Sequence, residues 1–309
     1  MVFAIARCRH IVTLQSVDDG GPMSISGLNI EDHEVLFAAA PWNLDETRSA
    51  EAQIDVPTML SPEERRLYYW VARHWAQDAG ALVDLGAFAG GSTARLAAGL
   101  AARRGTERVY AYDRFTVDEK NKARILYRQG VPEFEGNDLK PLAEQYLEPW
   151  KDQIFLRHGE IQDVGWDGGP IEVLAVDAAK HAARLDIFAS HFYPSLIPGR
   201  SILIQQDFLA WNQPWLMLQM LKMSAAFHPI AYATNSTVLF MCTAPVTAAL
   251  IASAEVGSCS DQELIDGVRE MRDRLEDWGM AARFRKAIAG VRANPGKRIS
   301  WQMRAPRQA

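Results

Sequence analysis

Short apolar runs separated by helical stretches constrain this chain more than any other feature. ALVDL (81–85), RVYAYD (108–113), IFLRH (154–158), IEVLAVD (171–177) and SILIQQD (201–207) are strand-length and apolar, with helical periodicity between them, as in Ser92–Ala102 and His181–Leu196. Strands that are apolar on both faces must be covered on both faces, and crossover helices flanking a parallel sheet do this. The expected fold class is therefore α/β, a doubly wound, mostly parallel sheet. PIAYAT (229–234) and TVLFMCT (237–243) lie close enough together to form an antiparallel hairpin at one edge.

Ahead of the first strand, Ser61, Pro62 and Glu64 spell a capped helix start, and Leu67, Tyr68, Val71 and Trp75 form its apolar stripe. Residues 1–55 show no sustained periodicity, carry a DDGGP turn cluster at 18–22, and are expected to be an irregular arm or lid. The folded domain is expected over 56–255, with a C-terminal helix and tail over 256–309. In that last part, Asp261 to about Arg292 reads as one amphipathic helix with Leu264, Val268, Met271 and Leu275 on a single face. The uncharged stretch 235–254 is broken by Asn235, Ser236, Thr237, Thr243, Pro245 and Thr247. It suits a strand, a turn and a helix better than a membrane span.

The 309 residues carry a formal net charge of -5, without the basic excess of a phosphate-binding surface, so no nucleic-acid partner is expected. At 48% hydrophobic and 23% charged residues, the composition is that of an ordinary globular protein. Cys8, Cys242 and Cys259 lack metal-ligand spacing and read as reduced thiols, which points to the cytoplasm. Arg7 and Arg9 interrupt the N-terminal apolar run before it reaches signal-peptide length, so export is not expected. A homodimer is left open.

Directly after the first apolar run comes DLGAFAGGSTARLA (84–97), with Gly86, Gly90 and Gly91 between strand and helix. Glycines there let the backbone approach a ligand, and the helix start offers free amides to an anion. Ser92 and Thr93 add hydroxyl donors. The spacing Gly-x-x-x-Gly-Gly departs from the Gly-x-Gly-x-x-Gly of dinucleotide folds and disfavours a pyrophosphate cradle. Asp113 ends the next strand, where an acid grips the ribose diol in sheets of this type. The plainer alternative is a turn-forming glycine cluster and a helix-capping Asp.

On these residues the chain resembles the class I methyltransferases, especially the small-molecule O-methyltransferases of the catechol and caffeoyl-coenzyme A type, from about residue 56 to 243. The resemblance implies a seven-stranded Rossmann-like sheet with an antiparallel edge strand, and S-adenosyl-L-methionine as cofactor. It places the methionine part at Gly86, Phe88, Gly90 and Ser92, with Asp84, Gly91 and Thr93 around them. The ribose falls to Asp113, next to Arg114, and the adenine to Ile161 and Gln162 in HGEIQD. Asp177 joins this cofactor-binding set.

The fourth run ends in AVDAAKH, which puts Asp177, Lys180 and His181 at the sheet's carboxyl edge; the fifth ends with Gln205, Gln206 and Asp207 on the same rim. The Asp-x-x-Lys element is similar to that of the metal-dependent members, which implies Lys180 as base and, if a divalent cation binds, Asp177 and Asp207 as its ligands. Phe208 stands where those enzymes carry an Asn ligand, so a metal-free reaction is expected. Asp177 would then keep Lys180 protonated, leaving His181 as the base. Lys180, His181 and Asp207 are the catalytic candidates. Trp211, Pro214 and Trp215 are candidate pocket walls, or simple packing. His191 and Tyr193 read as packing of the helix end.

The expected reaction is methyl transfer to an oxygen, or secondarily a nitrogen, of a small-molecule acceptor. Two other classes stay open: a non-catalytic S-adenosylmethionine-binding protein, which needs no base, and a nicotinamide-dependent oxidoreductase, which the glycine spacing disfavours.

Overall fold

The computed structural model describes residues 30–233 and 236–306. The expected runs become β1 (Ala81–Leu85), β2 (Val109–Asp113), β3 (Ile154–His158), β4 (Ile171–Val176) and β5 (Ile202–Gln205). The hairpin runs supply β6 (Phe227–Tyr232) and β7 (Val238–Cys242). All seven form one sheet in the order β3-β2-β1-β4-β5-β7-β6. The first five pair in parallel, and β7 runs antiparallel to both β5 and β6. This is the doubly wound, mostly parallel seven-stranded sheet expected, with the hairpin on the β5 side and β6 outermost.

Side chains alternate between two buried layers, as period-two strands require. Leu82, Val109, Val173, Ile202 and Leu239 face a layer that contains the helices Pro62–Trp70 and Gly91–Ala102. Val83, Leu85, Leu174, Leu203 and Phe240 face the helices Ala182–Phe192, Pro214–Lys222 and Asp261–Arg274. The Ser61–Glu64 capping box forms as the sequence predicts, and Leu67, Tyr68, Val71 and Trp75 are buried. The uncharged stretch past Asn235 becomes β7, a turn and the helix Ala248–Ser253. Among the described residues no helix is long and apolar enough to cross a membrane.

Two expectations need correction. Residues 30–51 are not irregular: they form the helices Ile30–Ala38 and Asp45–Glu51 around a tight turn at Pro41–Asn43. Phe37 and Trp42 are buried there and meet Trp70 edge-on at 5.5 and 6.2 Å. Left-handed Ala40 redirects the chain between them, so these two anchors never share a helical period. The expected long C-terminal helix is two, Asp261–Arg274 and Ala281–Ala293, broken near Gly279, whose φ of 70° is left-handed. Leu264, Val268, Met271 and Leu275 are nonetheless buried together. The 18–22 turn cluster, Cys8, Arg7 and Arg9 lie outside the described residues.

Candidate active site

A cavity of about 750 Å³ opens at the carboxyl ends of the strands. It lies where the strand order reverses between β1 and β4, the crevice in which open α/β sheets bind ligands. β1 contributes Gly86 and Phe88, β2 Asp113 and Arg114, and the β3 end Ile161 and Gln162. Asp177, Lys180 and His181 follow β4, and Gln206 and Asp207 follow β5. Phe88 and Asp207 have φ of 50° and 59°, left-handed values uncommon for side-chain-bearing residues. Such positions cost roughly 1–3 kcal/mol and concentrate at functional sites.

The glycine turn is tied to the acid of the next strand. Asp113 accepts hydrogen bonds from the backbone N–H of Phe88 (3.0 Å) and of Phe115 (2.7 Å). Burial raises its pKa, and those amides oppose the rise. Gly86 has φ of 110°, and a Cβ there would come within 3.2 Å of the Ala178 nitrogen, so only glycine fits between β1 and the β4 loop.

The other members of the motif carry structural work. Gly90 and Gly91 are needed for packing: added Cβ atoms would meet Leu147 at 2.9 Å and Thr58 at 2.5 Å. Residues 57–58 thus pack against Gly91 in the first turn of that helix. Ser92 and Thr93 donate their hydroxyls to Asp84 at 2.7 and 2.6 Å. Asp84 is 1% exposed, and burial pushes its pKa up to about 6 against those two hydrogen bonds. Asp84, Gly90, Gly91, Ser92 and Thr93 do not line the cavity; they fix the turn beneath it. Gln162 donates to Glu160, which also faces Arg184 at 3.1 Å and Arg114 at 3.7 Å.

In the other half of the cavity the Lys180 ammonium lies between two carboxylates. Its Nζ donates to Asp177 Oδ1 at 2.6 Å and to Asp207 Oδ2. Burial alone would lower the pKa of Lys180, but the two carboxylates outweigh it and hold the pKa above its ordinary value. Asp207 Oδ2 also accepts from Gln213 (2.8 Å) and Oδ1 from Ser236 (3.2 Å). Burial would raise Asp207, yet Lys180 and these donors hold it below its usual range. Burial raises Asp177 to about 6, Lys180 opposing and Asp207 adding to the rise. Its Oδ2 accepts no hydrogen bond among the described residues.

His181 is placed differently from a base. It caps the helix Ala182–Phe192, its Nδ1 accepting from the Ala183 N–H at 3.1 Å. That hydrogen bond engages the Nδ1 lone pair. Phe208 is buried and packs against Phe240 with ring centroids 5.2 Å apart. The space between Asp177 and Asp207 is filled by the Lys180 ammonium, and among the described residues no group of three His, Cys, Asp or Glu side chains could hold a metal ion. Trp211, Pro214 and Trp215 do not line the cavity; the Trp215 indole donates to the Ala179 carbonyl at 3.0 Å. Tyr193 is buried, as expected of a packing residue.

Sequence reasoning missed three parts of the wall. Met59 and Leu60 come from the segment before the first sheet helix, and Asn121, Arg124 and Ile125 from the β2–β3 connection. A π-helical turn, Lys122–Leu126, carries two of these; such turns often mark functional sites, but no sequence period announces them. Ser300 and Trp301 arrive from the far C-terminal segment.

No protein-family model and no curated protein matches the chain. Solved structures with a similar chain path include the O-methyltransferase NovP, at 16% identity over 60% of this chain and 82% of that one, with a TM-score of 0.47. Cofactor-bound Rv0187 from MTB shares 16% identity over 70% of this chain and 98% of that one, with a TM-score of 0.43. The SAH-bound methyltransferase PaMTH1 of Podospora anserina shares 12% identity over 81% and 90%, with a TM-score of 0.37. At such identities and scores no residue role passes from them to this chain.

Proposed function

We propose that this chain transfers a methyl group from S-adenosylmethionine to an oxygen of a small molecule. The observation that carries the reading is one cavity with two chemically distinct halves: Asp113 beside the Gly86–Phe88 turn, and the Asp177–Lys180–Asp207 set. Asp113 suits a ribose diol, and the Gly86–Phe88 turn on the same wall would border the methionine part. Ile161 and Gln162, which also line the cavity, would border the adenine. When bound, the cofactor supplies an electrophilic methyl on a sulfonium.

The chain's own task is to hold the acceptor in line and take its proton. Lys180, kept ionised, orients the acceptor oxygen, and Asp177 Oδ2 receives the proton. A pKa of about 6 leaves Asp177 ionised at neutral pH yet close enough to it to act as a general base. Asp207, with both oxygens engaged, holds the lysine. The Gly-x-x-x-Gly-Gly spacing weighs against a nicotinamide cofactor.

Incubation with methyl-tritiated S-adenosylmethionine and a fractionated small-molecule extract tests this reading. Label should move into a small-molecule fraction with the wild type and not with Asp177→Asn. Label appearing only in polymeric RNA or protein would refute a small acceptor, and no transfer to any fraction would refute the enzyme.

A further inference from the structure

The loop that bears Lys180 is held by hydrogen bonds from several parts of the chain. The Asp177 N–H donates to the Leu85 carbonyl at 2.8 Å, and the Trp215 indole reaches Ala179 from the helix Pro214–Lys222. The Lys180 N–H donates to the Ala178 carbonyl at 2.8 Å, and two further backbone contacts come from more than a hundred residues onward in the chain. The Ser300 N–H donates to the Lys180 carbonyl at 2.9 Å, and the Ala182 N–H donates to the Arg298 carbonyl at 3.0 Å. Between them His181 and Ile299 form an antiparallel bridge.

The segment is itself anchored. Arg298 donates to the Cys259 carbonyl at 2.6 Å and pairs with Asp261 at 2.8 Å. Asn212 donates to the Ser300 carbonyl at 3.3 Å. The buried Asn294 side chain folds the chain end back, donating to the Arg304 carbonyl and accepting from its N–H at 2.9 and 2.7 Å. Ser300 is 7% exposed, whereas Trp301, the next residue, is 66% exposed at the cavity wall. The anchored turn thus leaves an uncovered indole on the cavity wall beside the Lys180 loop.

We propose that residues 298–301 are part of the acceptor site: a backbone clamp that positions the Lys180 loop and presents Trp301 as the acceptor-facing wall. The inference rests on the methyltransferase reading for what Lys180 does, but the clamp is testable without it. Ser300 begins a 3-10 turn and follows Ile299 at φ -132°, ψ 119°, a conformation that tolerates a following proline. Ser300→Pro deletes the N–H that holds Lys180, and its ring Cδ, standing where that hydrogen pointed, also pushes the segment off the Lys180 carbonyl. Ser300→Ala keeps that N–H.

The test is a limiting pulse of acetic anhydride on the full chain, with acetylation of Lys180 quantified peptide by peptide. In Ser300→Pro, Lys180 should label roughly fivefold faster, as expected from losing one backbone hydrogen bond. In Ser300→Ala it should label as in the wild type, and the buried Lys122 should stay protected in all three proteins. Unchanged Lys180 labelling in Ser300→Pro, an equal rise in Ser300→Ala, or Lys122 rising in step would each overturn the clamp. Calorimetric titration of wild type with S-adenosylhomocysteine judges the methyltransferase reading separately; its failure would leave the labelling result to decide the clamp alone.

Discussion

Lys180 between Asp177 and Asp207 fixes what each neighbour can do. Because the ammonium is held charged and His181 is committed to its cap, the proton acceptor is assigned to Asp177. Asp177→Asn should lower turnover by roughly 100-fold or more, the usual contribution of a general base. His181→Ala should cost about 1 kcal/mol of stability through the lost cap and leave turnover within a few-fold. Steady-state kinetics with the reverse pattern would return the base to the histidine. Since the ammonium fills the space between the carboxylates, chelator-treated enzyme should keep most of its turnover. Activity that vanished with chelator and returned with magnesium would make Asp177 and Asp207 metal ligands.

Asp84 gives a pH dependence of its own. Its pKa is raised from 3.8 to about 6 in the folded state, so the folded chain binds this proton more tightly than the unfolded one. Stability from this group is therefore greatest at low pH and falls as pH rises from about 4 to about 6, by on the order of 2 kcal/mol. Asp84→Asn removes the titration. Urea unfolding should show the stability difference between variant and wild type moving in the variant's favour by that order between about pH 4 and pH 7. A pH-independent difference would contradict it.

Elements were legible in the sequence wherever one pattern governed a whole segment. Five apolar strands and the Ser61 capping box need only local residue order to be recognised. The same reading assigned Gly90, Gly91, Ser92 and Thr93 to a ligand because glycines and hydroxyls at a strand–helix turn look alike whether they serve ligand or fold. What separates the two is tertiary: Thr58 against Gly91, and Asp84 beneath the hydroxyls. Gly91→Ala should push the 57–60 segment outward, costing roughly 1–3 kcal/mol as overpacking does, and loosen the Met59–Leu60 wall. Thermal melting of that variant at the wild-type temperature would show the close approach to be of no consequence.

At the scale of the whole molecule, the sheet's reversal point gathers side chains from five strand ends, while segments near residues 60, 125 and 300 close the cavity over them. The rim residues Asp113, Asp177, Lys180 and Asp207 were legible because strand ends in such a sheet share one edge. Ser300 and Trp301 were not, since nothing local in the tail states where a chain returns. The cofactor half rests on Asp113, and calorimetric titration with S-adenosylhomocysteine tests it most directly. The account predicts one-to-one binding to the wild type, weakened more than tenfold in Asp113→Ala because a carboxylate acceptor makes stronger hydrogen bonds than a neutral one. No binding to the wild type, or equal affinity in both proteins, would contradict it.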